Sequence, residues 1–487
     1  MSVTTTRPAS PASSMASSGY RTLWRWHFYA GLFVMPFLVI LAITGTIYCF
    51  QPQIEPLLYR HRLIVEPQAQ ARLGEDALLV RAHEAMPEGS LATIAAINED
   101  PARSAEFVFR LPGGEKESVY LNPYTGEMLG TLSVEHRFMQ VDRMLHRKLL
   151  LGKPGELLME LAACWTLVMI GTGIALWWPR ETTTLRAALW PRFALKDRAL
   201  WKNVHAVLGI WLALGALAFV LTGLPWSGSW GKQFKALATT ANLGSPPGSW
   251  GGLPLQSTLP GNHAKAGSAN AGRHESTMES MPGMTMDDLP LLTTPWAVGN
   301  VPVPQPSSDD TQGRFPLARV VELMTSLGVA SASGYEIVLP ASATGVSTVS
   351  YFPPDPKQER TLYIDQYSGA VLRDIRYGDY GAVSKAVSYG TSLHMGRYFG
   401  LANQILCALI SLGLAAMAVT GCVMWWKRRP ARSLGAPGRE RAAPPMRAWK
   451  AGLVFLGVLF PLMGTSMLAV WIADRTLFGR TAQRLGS

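Results

Sequence analysis

Four of the nine histidines stand in repeated surroundings. His27 is followed by Gly31 and Thr44-Gly45, and His205 by Gly209 and Thr222-Gly223, at identical offsets of 4, 17 and 18 residues. His146 is followed by Gly152, Thr172-Gly173 and Trp177-Trp178, and His394 by Gly400, Thr420-Gly421 and Trp425-Trp426, at offsets of 6, 26, 27, 31 and 32. One histidine at a membrane interface is commonly just an amphipathic, hydrogen-bonded residue. A repeated set beside apolar runs points to function, because ionisable groups are costly there. Two neutral imidazoles from two helices at one depth supply the axial positions of a six-coordinate, non-covalent b-type haem, whose porphyrin fills the other four. Gly31 and Gly209 follow their histidines by one turn on the same helix face and leave clearance for a flat macrocycle. Small residues there also serve close helix packing.

The elements that must position these histidines are apolar. The chain has 487 residues, 48% hydrophobic and only 16% charged, with net charge +11. This composition excludes a disordered chain, and four cysteines are too few for a disulfide-stapled scaffold. Five runs are long enough to cross a bilayer core, which needs ~20 helical residues: 28–49, 156–178, 203–224, 402–426 and 449–472. The segments 1–27, 179–202 and 427–450 carry net +3, +4 and +7, whereas 51–155 and 225–401 carry −2 and −1. The positive-inside rule places the amino terminus and the short basic loops in the cytoplasm and both long regions outside, with no call for a nucleic-acid partner. Trp177-Trp178 and Trp425-Trp426 close their runs just before basic residues, as an inner aromatic belt. The first run reads as an uncleaved anchor.

The chain therefore reads as an internal duplication inside an α-helical membrane bundle of about five transmembrane helices, with two periplasmic α+β domains. Residues 1–20 form a disordered cytoplasmic tail. Repeat 1 is 21–178, with an outer domain over 51–145. Repeat 2 is 203–426, with a flexible insertion over 231–313 and an outer domain over 314–380. Cytoplasmic loops cover 179–202 and 427–448. Each outer domain reads as a helix followed by short strands. Tyr120-Leu-Asn-Pro-Tyr-Thr-Gly126 matches Tyr363-Ile-Asp-Gln-Tyr-Ser-Gly369 as hairpin turns in which glycine supplies the positive backbone angle.

His27 and His205 precede runs that start inside, so they pair at the inner face. His146 and His394 precede runs that start outside, so they pair at the outer face. His146 to Trp178 is about 48 Å of helix, too long for one span, so a break at Gly152-Lys-Pro-Gly155 must leave His146 on a short outer helix, with His394 on its equivalent. Arg143, Arg147 and Arg397 lie beside these two histidines as candidate partners for haem propionates. His61, His83 and His136 read as surface residues.

No Cys-x-x-Cys-His, dinucleotide fingerprint, Walker loop or H-E-x-x-H is present. The cytoplasmic loops are too short for a nicotinamide or flavin domain, so any electrons that enter from the inside must come from a membrane quinol or another protein. The insertion carries His274, Met278, Met281, Met284 and Met286, whose thioethers suit a soft ion such as Cu(I). That leaves a second reading, a non-redox membrane protein that captures iron, copper or a partner protein in the periplasm.

Trp26-His27-Phe-Tyr-Ala-Gly31, Leu145-His146, Val204-His205-Ala-Val-Leu-Gly209 and Ser392-Leu-His394-Met-Gly396, with two Tyr-x-Gly hairpins, resemble the PepSY-associated transmembrane proteins of bacterial inner membranes. These include iron-regulated proteins and di-haem ferric-siderophore reductases. The resemblance implies two b haems that pass electrons from the His27/His205 side to the His146/His394 side, where a periplasmic ferric siderophore or similar chelate is reduced. It thus implies a membrane metalloreductase of iron uptake.

Overall fold

The computed structural model describes residues 11–179, 184–244, 257, 296–298, 313–329, 334–341, 343, 345–430, 434–438 and 446–473. In chain order its helices are α1 (Pro11–Cys49), α2 (Gln51–Leu58), α3 (Arg60–Leu63), α4 (Glu75–Glu84), α5 (Phe138–Lys148), α6 (Lys153–Trp177), α7 (Leu185–Ala188), α8 (Asp197–Gly223), α9 (Trp230–Thr240), α10 (Leu317–Ser326), α11 (Ala382–His394), α12 (Leu401–Arg428), α13 (Arg447–Leu459) and α14 (Pro461–Ala473). The chain divides into two compact units, one of Met1–Ile47, Met144–Gln233 and Ile405–Ser487, the other of Tyr48–Arg143 and Phe234–Gln404.

Among its described residues the first unit has four segments long and apolar enough to cross a membrane: Gly19–Cys49, Lys153–Trp177, Asp197–Trp226 and Leu401–Arg428. The shortest has 25 residues, about 38 Å of helix against a hydrocarbon core of about 30 Å. Ala30, Val34, Cys164, Val168 and Ala418 pack as its interior, and leucines such as Leu214 and Leu409 point outward, as a lipid-facing surface requires.

The expected fifth crossing, 449–472, is not a single helix. It breaks into α13 and α14, of 13 residues each, and each reaches only about 20 Å. Pro461 has no amide to continue the ladder, and Phe460 before it leaves helical geometry at φ −120°, ψ 87°. Gly457 and Gly464 let the two pieces fold together, since a Cβ on Gly464 would stand 2.4 Å from the Gly457 carbonyl oxygen. Trp165 of α6 donates to Ser466 of α14 at 3.0 Å.

The second unit contains one antiparallel sheet of eight strands: β1 (Leu91–Ile97), β2 (Ala105–Arg110), β3 (Lys116–Leu121), β4 (Met128–Ser133), β5 (Tyr335–Val338), β6 (Val346–Tyr351), β7 (Arg360–Asp365) and β8 (Val371–Arg376). The order is β4-β3-β2-β1-β5-β6-β7-β8. Each half is a helix followed by a four-stranded meander. The two expected outer domains are therefore halves of one sheet, joined where β1 pairs with β5 from Ile94↔Val338 to Ile97↔Tyr335. Both strands would otherwise be meander edges with unpaired amides and carbonyls, and joining them removes two edges. The halves also share one core, in which Leu78, Phe109, Val119, Met324, Ile337 and Leu362 are buried. Asp76 of α4 accepts from the amides of Leu317 and Ala318 at 2.8 and 2.9 Å, so the first half caps α10 of the second.

The matched turns have the expected backbone, with Gly126 at φ 73° and Gly369 at φ 71°. In each, an Asn122 or Asp365 side chain accepts from the amide of Tyr124 or Tyr367. The insertion expected to be irregular begins with α9, an ordered helix.

Candidate functional site

His27 on α1 and His205 on α8 meet inside the first unit. Their ring centres are 6.3 Å apart and their planes are 84° to one another. Two imidazoles sharing one iron would need about 2 Å of metal–nitrogen bond and about 1.1 Å from nitrogen to ring centre on each side, roughly 6.2 Å in all. The rings border a cavity of about 510 Å³ between α1, α6, α8 and α12, within the ~300–1,000 Å³ of cofactor pockets. Gly31 and Gly209 line it, as expected. They differ in what they leave free. A Cβ on Gly31 would meet nothing within 4 Å, whereas one on Gly209 would come within 3.0 Å of the Met417 methyl. Gly31 opens space and Gly209 also admits a neighbour. Among the described residues no group of three or more His, Cys, Asp or Glu side chains gathers to hold a metal ion. A two-imidazole site suits an iron whose other ligands come from a macrocycle, so the residues present fit a b haem.

Each imidazole is held from behind by a threonine on another helix. His27 Nδ1 lies 3.0 Å from Thr172 Oγ1, and His205 Nδ1 lies 2.8 Å from Thr420 Oγ1. His146 Nδ1 lies 2.8 Å from Thr44 Oγ1. The residue after each threonine is glycine, and a Cβ there would approach the ring. It would stand 3.2 Å from His27 Cε1 at Gly173, 3.2 Å from His146 Cε1 at Gly45, and 3.6 Å from His205 Cε1 at Gly421. The repeated Thr-Gly pairs were visible in the sequence, but their offsets could not say which histidine each would face.

The pairing runs both ways between α1 and α6. α1 gives His27 to Thr172 near the end of α6, and Thr44 near its own end receives His146 from just before α6. The two helices are antiparallel, and the levels of His27 and Thr44 are about 26 Å apart at 1.5 Å per residue.

His146 sits on α5, separated from α6 by Leu149 and Leu150 at φ 52° and 59° and Gly152 at φ 62°. The expected break is present and begins three residues earlier. His394 ends α11, and Gly396 and Gly400, at φ 70° and 56°, separate it from α12. His394 belongs to the second unit. Loss of surrounding water pushes its pKa down to about 4, which keeps the ring neutral, as a metal ligand must be. Its backbone carbonyl accepts from Cys49 Sγ at 3.8 Å.

Of the expected propionate partners, Arg397 donates to the Phe352 carbonyl at 2.6 Å and lies over that ring at 4.7 Å. Arg147 donates to the Trp226 carbonyl at 3.3 Å. Arg143 is on α5, three residues before His146. The cations that line the His27/His205 cavity are others, Arg198, Lys202 and Arg428. Sequence reading counted them for orientation and missed this placement. Lys202 and Arg198 precede His205 by one and two turns of α8, a spacing that could have found them. Arg428 lies over the Trp24 ring at 4.6 Å. His83, expected at the surface, is exposed but sets its ring edge-on to Phe109 at 5.0 Å. His274, Met278, Met281, Met284 and Met286 lie outside the described residues.

Four bilayer-length apolar helices and a unit built on antiparallel sheet define a membrane protein with PepSY-like domains. The chain belongs to the PepSY-associated TM region family, whose model matches residues 24–428. No curated protein matches it significantly.

Proposed function

We propose that the chain is an inner-membrane electron-transfer protein that holds two b haems and reduces a ferric chelate, such as a siderophore, in the periplasm. The observation that carries this reading is the 6.3 Å separation of the His27 and His205 rings at the edge of a macrocycle-sized cavity. A b haem bound there supplies one-electron ferric–ferrous chemistry. The chain's own residues do the rest. His27 and His205 present one nitrogen each, Leu38, Met169 and Leu414 keep the space apolar, and Arg198, Lys202 and Arg428 offer charge to acidic substituents. The second axial pair, His146 and His394, is proposed from the duplicated spacing.

The direction of flow follows from charge. The His27/His205 cavity also includes Trp177, Trp425 and Arg428, which adjoin the basic segments 179–202 and 427–450. The positive-inside rule makes that end cytoplasmic and the sheet unit periplasmic. Electrons enter at the cytoplasmic end from a membrane quinol or another donor. Iron(III) held by hard oxygen ligands is bound far more tightly than iron(II), so one electron delivered outside releases it. The matched helix-plus-meander halves and the matched Thr-Gly pairs support a duplicated origin.

Pyridine haemochrome analysis of the purified chain tests the reading. About two b haems per chain are expected, and His27→Ala or His205→Ala each remove one. Haem-free protein of full helicity overturns it.

A further inference from the structure

Each of three threonine hydroxyls that touch a histidine carries a single proton, and each also lies within hydrogen-bonding distance of a carbonyl of its own helix. Thr172 Oγ1 donates to the Val168 carbonyl of its own helix at 2.7 Å. Thr44 donates to Ile40 at 2.7 Å, and Thr420 to Met417 at 3.0 Å. Such back-bonding to the preceding turn is common for threonine inside a helix. With the proton on that bond, the oxygen can only accept toward the imidazole, and the hydrogen between Oγ1 and Nδ1 then belongs to the ring.

That arrangement decides the tautomer. An imidazole with hydrogen on Nδ1 has its lone pair on Nε2, at the far side of the ring. The following glycine completes the device, since at Gly173 and Gly45 a Cβ would press on Cε1, the carbon between the two nitrogens, from 3.2 Å. Hydroxyl and missing side chain together fix the ring's rotation about its own bond as well as its protonation.

We propose that Thr172, Thr420 and Thr44 are positioning residues that hold His27, His205 and His146 in the Nδ1–H tautomer and present Nε2 to an electron-poor centre. The inference rests on the haem reading for the identity of that centre but not for the tautomer. A hydrogen bond donated by Nδ1–H makes an imidazole a stronger electron donor. A neutral hydroxyl is a weaker acceptor than the carboxylate often found behind metal-bound histidines, so these rings stay neutral imidazoles rather than moving toward imidazolate. A ligand of that kind favours the reduced metal more than an imidazolate would, which suits a centre that must accept electrons readily.

The test has two parts, both on the full-length chain. Nitrogen-15 spectra of histidine-labelled protein, reduced so that any bound iron is ferrous and diamagnetic, report which ring nitrogen carries hydrogen. His27, His205 and His146 should each carry it on Nδ1, and Thr172→Val should broaden or shift the His27 signal alone. Redox titration followed in the haem absorption bands is the second part. Removing the acceptor makes His27 a weaker donor, so Thr172→Val should raise the ferrous/ferric ratio of one haem at fixed potential by roughly two- to tenfold, one ordinary hydrogen bond's worth. The other haem should not move, and Thr172→Ser should restore the parent value. Hydrogen on Nε2 in the parent chain overturns the proposal, as does a titration that Thr172→Val leaves unmoved or that Thr172→Ser fails to restore. Protein without haem ends the haem reading, and the nitrogen spectra then decide the tautomer on their own.

Discussion

A methyl group placed on Gly173 would stand 3.2 Å from Cε1 of His27, a residue of another helix 146 positions earlier in the chain. The glycine is thus the slot into which the imidazole turns, and it ties the fit of one helix pair to the aim of one ring. Gly173→Ala should be tolerated with a small tilt of His27. Gly173→Val adds two methyls where the ring already sits, and it should abolish binding at the His27/His205 site. Haem content per chain should fall by about half. Gly171→Ala, in the same helix with nothing within 4 Å of the added carbon, should leave it unchanged. Equal loss in both variants would mean that the helix, not the slot, is responsible.

The cations of the cavity should tune whatever is bound there. Reduction adds one negative charge, and a unit positive charge ~10 Å away favours it by about 1–2 kcal/mol at an effective dielectric constant near 20. Arg198→Gln with Lys202→Gln removes two such charges from the cavity wall. The midpoint potential of the haem proposed at His27 and His205 should fall in spectroelectrochemical titration, and more so at low salt. Arg147→Gln, whose guanidinium is bonded to the Trp226 carbonyl, should leave that potential in place.

Much of this candidate site was legible in the sequence because its motifs occur there twice. The four histidines, their glycines and the Tyr-x-Gly turns stood out by matched offsets, and the helix breaks after His146 and His394 followed from length. The partners did not. His27 is held by Thr172 and His205 by Thr420, and a fixed offset along one chain does not say which helix faces which. The joining of β1 to β5 was hidden for the same reason, since edge pairing between distant segments leaves no local pattern. The run 449–472 misled because apolar length was weighed without Pro461 and the close approach of Gly457 to Gly464.

That close approach gives a stability prediction. Gly464→Leu would put a side chain into the Gly457 backbone, 2.4 Å from its oxygen at the first carbon. α13 and α14 would have to part, and α14 carries the serine that accepts from Trp165. The expected cost is about 1–3 kcal/mol, the usual range of overpacked cores. It should be read as a lower Tm in detergent. Gly452→Ala, which meets nothing within 4 Å, should not lower it.

Glu359 should make the protein's stability depend on pH. The residue is 1% exposed and accepts from Ser388 Oγ at 3.0 Å. Burial pushes its carboxyl up to about 8, although Ser388, Arg397 and Tyr380 favour the charged form, while Asp355 adds to the rise. A carboxyl raised in the folded state binds its proton more tightly there than in the unfolded chain, whose ordinary value is about 4.3. Between those two values the folded protein carries more protons, so stability falls as pH rises. The contribution is complete below about pH 4.3, declines by no more than about 1.4 kcal/mol per pH unit, and is gone once pH has passed the folded value. Glu359→Gln keeps the shape and cannot ionise. The variant should therefore lose this decline, matching the parent in acid and exceeding it near pH 8 in thermal unfolding. A parent and variant whose unfolding curves shift together from pH 5 to pH 9 would show that Glu359 is already charged in the fold.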